Sequence, residues 1–377
     1  MVDLSKVPNY KDNIKKANKK QKLEREWYSL RSMLGYDWAI FYFLLGGREA
    51  GKSYATTNFF VRQWRKYKRP FYWIRLTEAS AQKLLTNNAE KLIDPDLRRK
   101  YKLEIVTRGT NVYEVKYQER EIKHKDGTIS IKREEVSREL MARVLALSTF
   151  YNDKGSGLFD ADFLKDPNMY YNICLDEMNR EANEKNSFDI VYAFTNQLEN
   201  LVRSTKTRLR VICIGNTLEE ASDIMCAFNF LPEEFGRYKL KSKRAVIDYI
   251  APTEKYKTRR KGTVADILMP TASTFTNEIE VDKSLIYCGK LKRPSYIVKF
   301  SKDKGSWFTV WDDHIIAPYN KEKCKMIISM RPYIDEIFNT QTRDMIIQMY
   351  DTRVLYFKNL ITAKRFKKEL SLLKPRA

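Results

Sequence analysis

Eight consecutive residues have the types and spacing of a phosphate-binding loop. They match the pattern GxxxxGK[ST] and are Gly46, Gly47, Arg48, Glu49, Ala50, Gly51, Lys52 and Ser53. Glycines let backbone N–H groups approach phosphates closely, the lysine can contact the β- and γ-phosphates, and the hydroxyl can bind Mg²⁺. The segment predicts an ATP site in which Lys52 is catalytic and Ser53 binds the metal. The whole loop and Tyr54 are the predicted nucleotide contacts, and a glycine-rich turn that matches by chance is the alternative.

Two acids form a second candidate group, because they follow an apolar run. The sequence YYNICLDE over 170–177 predicts a buried strand that ends in Asp176 and Glu177. This is a Walker B pattern, in which Asp176 would bind Mg²⁺ and Glu177 would orient and activate the attacking water. The alternative is an ordinary strand followed by acids that cap a helix, and the loop upstream makes it the weaker interpretation.

Two further segments could contact the γ-phosphate. The strand predicted over 211–215 is followed directly by Asn216 and Thr217. Their polar side chains suit a sensor of the γ-phosphate, although an ordinary turn at the end of a strand would have the same sequence. Arg203 could stabilise developing charge on a neighbouring subunit's nucleotide, as arginine fingers do, although it could equally end a solvated basic helix. Weaker candidates for a phosphate contact are Arg48, Lys154 and Lys165, and for the adenine pocket Trp27 and Tyr28.

The elements that must position these residues alternate between strands and helices. Five apolar runs are typical of buried parallel strands, at 38–45, 71–74, 143–147, 170–175 and 210–215. The pair Asp126-Gly127 between alternating stretches predicts a hairpin. We therefore predict an α/β fold with a mostly parallel sheet. The run at 143–147 comes between the loop and the acids along the chain, and we interpret it as the inserted strand of the additional-strand, catalytic-glutamate division of P-loop ATPases.

Composition shifts along the chain predict three parts. The first is a P-loop ATPase domain over 1–228 that begins with a basic helix. The second is a basic linker over 229–262, where many Lys and Arg surround a few apolar residues. The third is a smaller C-terminal α/β domain over 263–377.

The charge of the chain predicts a polyanionic partner. Lys and Arg number 70 against 48 Asp and Glu, which gives a net charge of +22 at pH 7. Nucleic acid is the leading candidate and an anionic membrane surface is the second, and the chain has abundant cations but no base-reading motif. Three basic segments are candidates for binding the phosphates of nucleic acid, namely 120–133, the basic linker and the C-terminal tail, although each could equally be a solvated surface.

Other sequence features narrow the class of protein. The longest apolar run is far shorter than the ~20 residues that span a bilayer, so no membrane partner is expected. The charged N-terminus predicts no signal peptide. Five widely spaced cysteines and two histidines make a disulfide framework and a zinc site poor interpretations, and a reducing cytosolic compartment fits best.

These motifs together resemble the DNA-packaging ATPases of small tailed phages with protein-primed genomes, the Picovirinae type. That group is a branch of the large-terminase and FtsK/HerA-like translocases. The resemblance rests on GGREAGKS, YYNICLDE, the strand that ends in GNT, and the segment LENLVRSTKTRLR. It covers roughly 39–217, and beyond that it concerns architecture only.

The resemblance implies a homomeric, pentameric ring that docks on the portal of a phage prohead in the host cytoplasm and pumps double-stranded DNA inward. It implies that Arg203 acts across the subunit interface. It also implies a C-terminal RNase H-like domain that has lost its nuclease function. A two-metal nuclease needs about three clustered carboxylates, and no spacing identifies them among Asp303, Asp312, Asp313, Asp335 and Asp344.

Three alternatives remain open from the sequence. The protein could be a terminase that also cuts DNA, a helicase or translocase not tied to capsids, or a nucleic-acid-binding scaffold with a degenerate ATP site. The intact set of Lys52, Ser53, Asp176 and Glu177 counts against the scaffold.

Overall fold

The structure is a computed structural model and describes residues 27–123, 129–149, 170–179, 189–202, 209–216, 222–268, 283–324, 326–332 and 338–373. The chain divides into two compact units. The first unit comprises Val7–Thr217 and Pro232–Glu278, and the second contains Leu218–Leu231 and Ile279–Ala377.

The described strands, in chain order, are β1 (Phe41–Leu45), β2 (Phe71–Arg75), β3 (Ile105–Arg108), β4 (Asn111–Lys123), β5 (Ile129–Ala146), β6 (Tyr171–Asp176), β7 (Leu209–Gly215), β8 (Gly236–Leu240), β9 (Ala245–Tyr249), β10 (Pro294–Lys299), β11 (Trp307–Trp311), β12 (Ile315–Pro318), β13 (Ile327–Ser329) and β14 (Tyr356–Phe357). The described α-helices are α1 (Lys52–Tyr67), α2 (Glu78–Ala89), α3 (Pro95–Tyr101), α4 (Ile190–Val202), α5 (Asp223–Ala227), α6 (Glu254–Arg260), α7 (Val264–Leu268), α8 (Thr340–Asp351) and α9 (Leu360–Ser371). Short 3₁₀ turns lie at Leu30–Ser32, Lys241–Lys243 and Lys304–Ser306.

A large, mostly parallel sheet is the centre of the first unit. Within the described ranges its order is β3-β4-β5-β2-β6-β7-β1-β9-β8. Every neighbouring pair from β5 through to β9 is parallel, and the pairs at the two edges are antiparallel. The central strands are apolar and almost wholly buried, as strands covered on both faces must be. The predicted mixed α/β fold with a mostly parallel sheet is confirmed.

The strand between β1 and β6 is β7, so the predicted inserted strand was the wrong one. The run at 143–147 forms the end of β5 and pairs with β2, on the side of β2 away from β6. The order of strands along the chain does not give their order in the sheet, and only the long-range pairing of β7 with β1 and β6 settles the matter.

Helix α1 covers this sheet with an aromatic face. The Phe60 ring centre lies 5.2 Å from that of Phe71 and 6.3 Å from that of Trp73. The Trp64 indole N–H donates to the Leu140 carbonyl at 2.9 Å. Phe60 and Trp64 are four residues apart and therefore lie on one helical face, so this packing fixes the direction in which α1 leaves the loop.

The boundary between the units differs from the predicted one, because the segment 229–262 is not a linker. Strands β8 and β9 lie in it, and β9 is hydrogen-bonded beside β1. All five residues of β9 are buried. Its short apolar run is enough to form a core strand, and the cations that made the segment look like a connector lie mostly in the flanking turns and α6.

The second unit contains a mixed five-stranded sheet in the part of the chain that is described. Its order is β13-β10-β11-β12-β14. β10, β11 and β12 form an antiparallel meander, while β13 and β14 pair in parallel with β10 and β12. The rings of Phe300, Phe308 and Phe366 pack in its core with centre-to-centre distances of 5.3 to 5.9 Å. Among the described helices of either unit, none is long and apolar enough to cross a membrane.

Candidate nucleotide-binding site

The glycine-rich loop connects the end of β1 to the start of α1. Leu45 ends the strand and Lys52 begins the helix, as the motif predicts. The backbone is left-handed at Glu49 (φ 61°) and Gly51 (φ 83°). Gly51 is the N-cap of α1, and a side chain there would be strained in this conformation. The loop therefore faces a helix N-terminus, which favours anions.

Lys52 lies beneath the loop and holds two of its carbonyls. Its Nζ donates to the carbonyls of Gly46 at 2.8 Å and Gly47 at 2.6 Å. The side chain is buried, and this burial lowers the pKa of Lys52 to about 8, against the opposing effect of the nearby Asp176 carboxylate. The ammonium is thus placed at the helix N-terminus, where a phosphate chain would need a cation.

The predicted metal ligands are neighbours in the structure. Ser53 Oγ lies 3.5 Å from Asp176 Oδ1. They meet because β1 and β6 both flank β7 in parallel, so their carboxyl ends share one edge of the sheet. A hydroxyl and a carboxylate are oxygen ligands of the kind that Mg²⁺ prefers, so this pair fits the ion.

Asp176 is a buried carboxylate with two further partners from β2. The Trp73 indole N–H donates to Oδ2 at 3.2 Å, and an Arg75 guanidinium nitrogen lies 2.9 Å from the same oxygen. Burial raises the pKa of Asp176, and the Arg75 charge opposes that shift. The carboxylate is held in a fixed position by these contacts.

Glu177 differs from its neighbour in exposure. Its side chain is 55% exposed, and it forms an ion pair with the second terminal nitrogen of Arg75. Its backbone is left-handed, with φ at 56°. A non-glycine residue in this conformation is held there by its surroundings, which is common at functional sites. The carboxylate is therefore at the sheet edge and accessible to solvent, as a base that activates water must be.

Arg75 and Trp73 are functional residues that the sequence patterns did not predict. Both lie in β2, where Arg75 is the last residue, and β2 pairs in parallel with β6 in the register Ile74↔Leu175. An arginine at the end of the buried run FYWIR was the available signal. It could be interpreted only once β2 was known to lie beside the strand that carries the acids.

The other predicted nucleotide contacts have varied surroundings. Asn216 follows β7, and its backbone carbonyl accepts from Asn179 Nδ2 at 3.5 Å. Tyr54 is 38% exposed, and its pKa is raised mainly by partial burial and further by the nearby carboxylates of Asp94 and Asp96. Arg203, Thr217, Lys154 and Lys165 lie outside the described residues.

The two aromatic candidates for the adenine pocket have different roles. Tyr28 is buried, and its hydroxyl donates to Asp248 Oδ2 at 2.7 Å. Asp248 also pairs with Arg237 at 2.6 Å. Trp27 is half-exposed and stacks against the Arg259 guanidinium, whose carbon lies 3.7 Å from the ring centre. Trp27 is thus the more accessible of the two.

The known proteins that resemble this chain in sequence and in fold include phage DNA packaging proteins. No family model matches the chain. A DNA packaging protein of Bacillus phage phi29 is 23% identical over 288 residues, which cover 75% of this chain and 72% of the phage protein. A DNA packaging protein of Bacillus phage PZA is 23% identical over 218 residues, 57% of this chain and 53% of that protein. The bacteriophage Phi-29 viral genome packaging motor assembly contains a chain of similar fold, with a TM-score of 0.63 at 18% identity over 93% of this chain and 100% of that one.

The chain is thus similar in sequence to two phage DNA packaging proteins. The resemblance to phage DNA-packaging proteins that the motifs indicated is therefore confirmed. The sequence match to the phi29 protein covers 75% of this chain, which is more than the part 39–217 that the motifs cover.

In this chain, Gly51 offers a test of the loop geometry. A Cβ there would lie 3.1 Å from Trp27 Cε3 on a left-handed backbone, whereas Gly109 has φ 56° and nothing within 4 Å of its Cβ position. We expect Gly109→Ala to lower the free energy of unfolding by about 1 kcal/mol and Gly51→Ala by about 2 kcal/mol. Chemical denaturation measures both, and only Gly51→Ala should weaken ATP binding. Equal losses of stability would show that the Trp27 contact has no effect.

Proposed function

We propose that this protein is an ATP-driven motor that translocates double-stranded viral DNA into a preformed capsid. The observation that carries the proposal is the grouping of Lys52, Ser53, Asp176 and Glu177 at one sheet edge in a homologue of packaging proteins. A loop that can hold phosphates, a pair that fits a metal and an accessible base are together the requirements of ATP hydrolysis.

The strand order supports the additional-strand, catalytic-glutamate division of P-loop ATPases. β7 lies between the loop-bearing strand β1 and the acid-bearing strand β6. Asn216 follows this inserted strand directly and would sense the γ-phosphate. The loop and Tyr54 would bind the nucleotide, and Ser53 and Asp176 would hold Mg²⁺, which when bound neutralises charge on the phosphates.

Glu177 would be the general base of the reaction. Its carboxylate would accept a hydrogen bond from the attacking water and take up the proton as the oxygen attacks the γ-phosphorus. In the structure this carboxylate is paired with Arg75. Hydrolysis therefore requires Glu177 to exchange an arginine partner for water, while Lys52 stabilises charge on the phosphate chain.

We infer a homomeric, pentameric ring with ATP at the interfaces between subunits. Arg203 would reach the γ-phosphate held by the neighbouring subunit and stabilise its developing charge. The ring would dock on the portal of the prohead, and so the protein would act in the host cytoplasm.

DNA contact in this proposal is electrostatic. A motor that moves along any sequence must bind phosphates rather than bases, and the net charge of +22 suits that task. The ribbon formed by β4 and β5 offers Arg120, Lys132 and Arg133, although the last two pair with Glu134 and Glu104. The basic segment 229–262 and the tail remain further candidates.

The second unit would be an RNase H-like domain without nuclease activity that binds DNA or the portal. The meander β10–β12 with β13 beside β10 supports this assignment, whereas β14 lies beside β12. Asp312 accepts backbone N–H bonds from Lys292 at 3.3 Å and Arg293 at 3.1 Å, which is a structural role in a turn. Among the described residues no group of three or more acids, histidines and cysteines could hold a metal ion, and Asp335 lies outside them.

The decisive experiment measures ATP hydrolysis and DNA uptake by the full chain with double-stranded DNA, with empty proheads, and with both. We expect turnover to rise with both partners present and DNA to become protected from nuclease inside proheads. Cleavage of plasmid DNA would instead indicate a terminase, and strand separation of a tailed duplex would indicate a helicase.

A second experiment tests Arg203 by mixing wild-type and Arg203→Ala subunits. Action in trans predicts that few variant subunits stop a ring, whereas loss in proportion to their share would contradict it.

A further inference from the structure

The outer carbonyls of the phosphate loop are bound by residues outside the motif. Tyr256 Oη donates to the Arg48 carbonyl at 2.9 Å, and Arg259 Nη2 donates to the Glu49 carbonyl at 2.7 Å. The next carbonyl, that of Ala50, accepts the backbone N–H of Tyr28 at 3.0 Å. Since Lys52 binds the carbonyls of Gly46 and Gly47, five consecutive loop carbonyls accept hydrogen bonds.

Tyr256 and Arg259 both come from α6, which lies in the segment that composition had suggested was a linker. Arg260 of the same helix is buried, and its Nη1 lies 3.3 Å from Glu49 Oε2. Residues of α6 therefore contact both the backbone and the side chain of Glu49. This matters because Glu49 has a left-handed backbone, which costs an L-residue about 1 kcal/mol or more and persists only when other contacts stabilise it.

These bonds determine where the loop N–H groups point. In a trans peptide the C=O and N–H point in opposite directions, and the described backbone contains no cis peptide. A donor on the Arg48 carbonyl therefore turns the N–H of Glu49 away from α6, and a donor on the Glu49 carbonyl does the same for Ala50. Loops of this kind bind phosphate through converging backbone N–H groups, so the orientation of these two peptides decides affinity.

We propose that Tyr256 and Arg259 are positioning residues for the triphosphate, which hold two peptides of the loop in their phosphate-binding orientation. The inference rests on the proposed function, since it takes the loop to be a nucleotide site. It assigns a role in nucleotide binding to a helix some 200 residues from the motif.

The test uses the full chain and two substitutions, Tyr256→Phe and Arg259→Gln. Lys257→Gln is the matched control, because Lys257 is on the same helix but pairs with the exposed Glu254 at 3.4 Å. Equilibrium binding is measured for ATP and for inorganic tripolyphosphate, with turnover at saturating ATP and the thermal unfolding midpoint.

We expect both substitutions to weaken the binding of ATP and of tripolyphosphate by the same factor, about tenfold, because Tyr256→Phe removes the hydroxyl donor and Arg259→Gln replaces the guanidinium with a shorter, neutral amide. Turnover at saturation should stay within about twofold of wild type, so KM rises while kcat does not fall. Arg259→Lys should recover part of the affinity, since an ammonium can still donate to the carbonyl. Lys257→Gln should bind as wild type does.

Unchanged affinity for tripolyphosphate in both variants overturns the inference. A loss confined to ATP also overturns it, because Arg259 would then act on the base through its stack with Trp27. Should Arg259→Gln fail to fold, Tyr256→Phe decides alone, since it removes a single hydroxyl. A wild-type chain that binds both ligands but never responds to DNA would refute the motor and leave this inference intact.

Discussion

Glu177→Gln should stop ATP turnover while leaving ATP binding nearly unchanged. The amide keeps the shape of the side chain but cannot accept the proton of the attacking water. Removing a general base commonly costs a factor of 10² to 10⁴ in rate, so we expect kcat to fall at least about 100-fold. The side chain is 55% exposed, so its neutralisation should disturb the fold little.

Steady-state hydrolysis and binding of a fluorescent ATP analogue measure the two quantities. Glu104→Gln is the matched control, because Glu104 is an exposed acid that also pairs with an arginine, Arg133. It should turn over ATP at the wild-type rate. Hydrolysis by Glu177→Gln within a few-fold of wild type would remove this carboxylate from the role of base.

Arg75→Ala should produce the largest loss of stability among single substitutions at the site. Arg75 is 13% exposed and lies 2.9 Å from a carboxylate oxygen of Asp176, which is 4% exposed. Removing one partner of a buried pair leaves an uncompensated charge and typically costs 3–5 kcal/mol, so we expect the free energy of unfolding to fall by about 3 kcal/mol. Turnover should fall as well, since Arg75 also contacts Glu177.

A second buried ion pair, Arg237 with Asp248, allows the effect on stability to be measured apart from the effect on ATP hydrolysis. Arg237 lies 2.6 Å from Asp248, and both side chains are about as buried as those of the first pair. Arg237→Ala should therefore cost similar stability in chemical denaturation but leave the ATP turnover of the folded protein close to wild type. Arg75→Lys should recover part of the loss because it keeps the charge. If Arg75→Ala lowered the free energy of unfolding by less than about 1 kcal/mol, the Arg75 charge would not be needed to stabilise the buried Asp176 carboxylate.

The parts of the site that could be predicted from the sequence are those where chemistry and local structure coincide. The loop and the acids each follow an apolar strand directly, so Lys52, Ser53 and Asp176 could be assigned to one sheet edge from parallel strands alone. Arg75 could not, because its importance depends on β2 lying beside β6, and spatial order is set by long-range pairing. The choice of 143–147 as the inserted strand was wrong for the same reason.

The segment 229–262 shows that amino-acid composition alone does not predict whether a segment is a linker or part of the core. Its many cations predicted a connector, yet five residues with a short apolar run form β9, which is buried beside β1. Burial depends on what a strand pairs with, and a short strand can be flanked by any number of charges in turns. The contacts from α6 to the loop could not be predicted either, since some 200 residues separate the partners.

The late position of β9 and α6 has a consequence for how the protein is made. β1 emerges early in synthesis, but one of its two neighbours and the helix that braces its loop follow some 200 residues later. Contacts so distant along the chain form slowly, and the loop cannot reach its final shape until about residue 260 has left the ribosome. A fragment cut after Thr217 would carry every recognisable motif and still lack the contacts that hold its glycine turn, so expression of the catalytic half alone requires the chain to continue through α6.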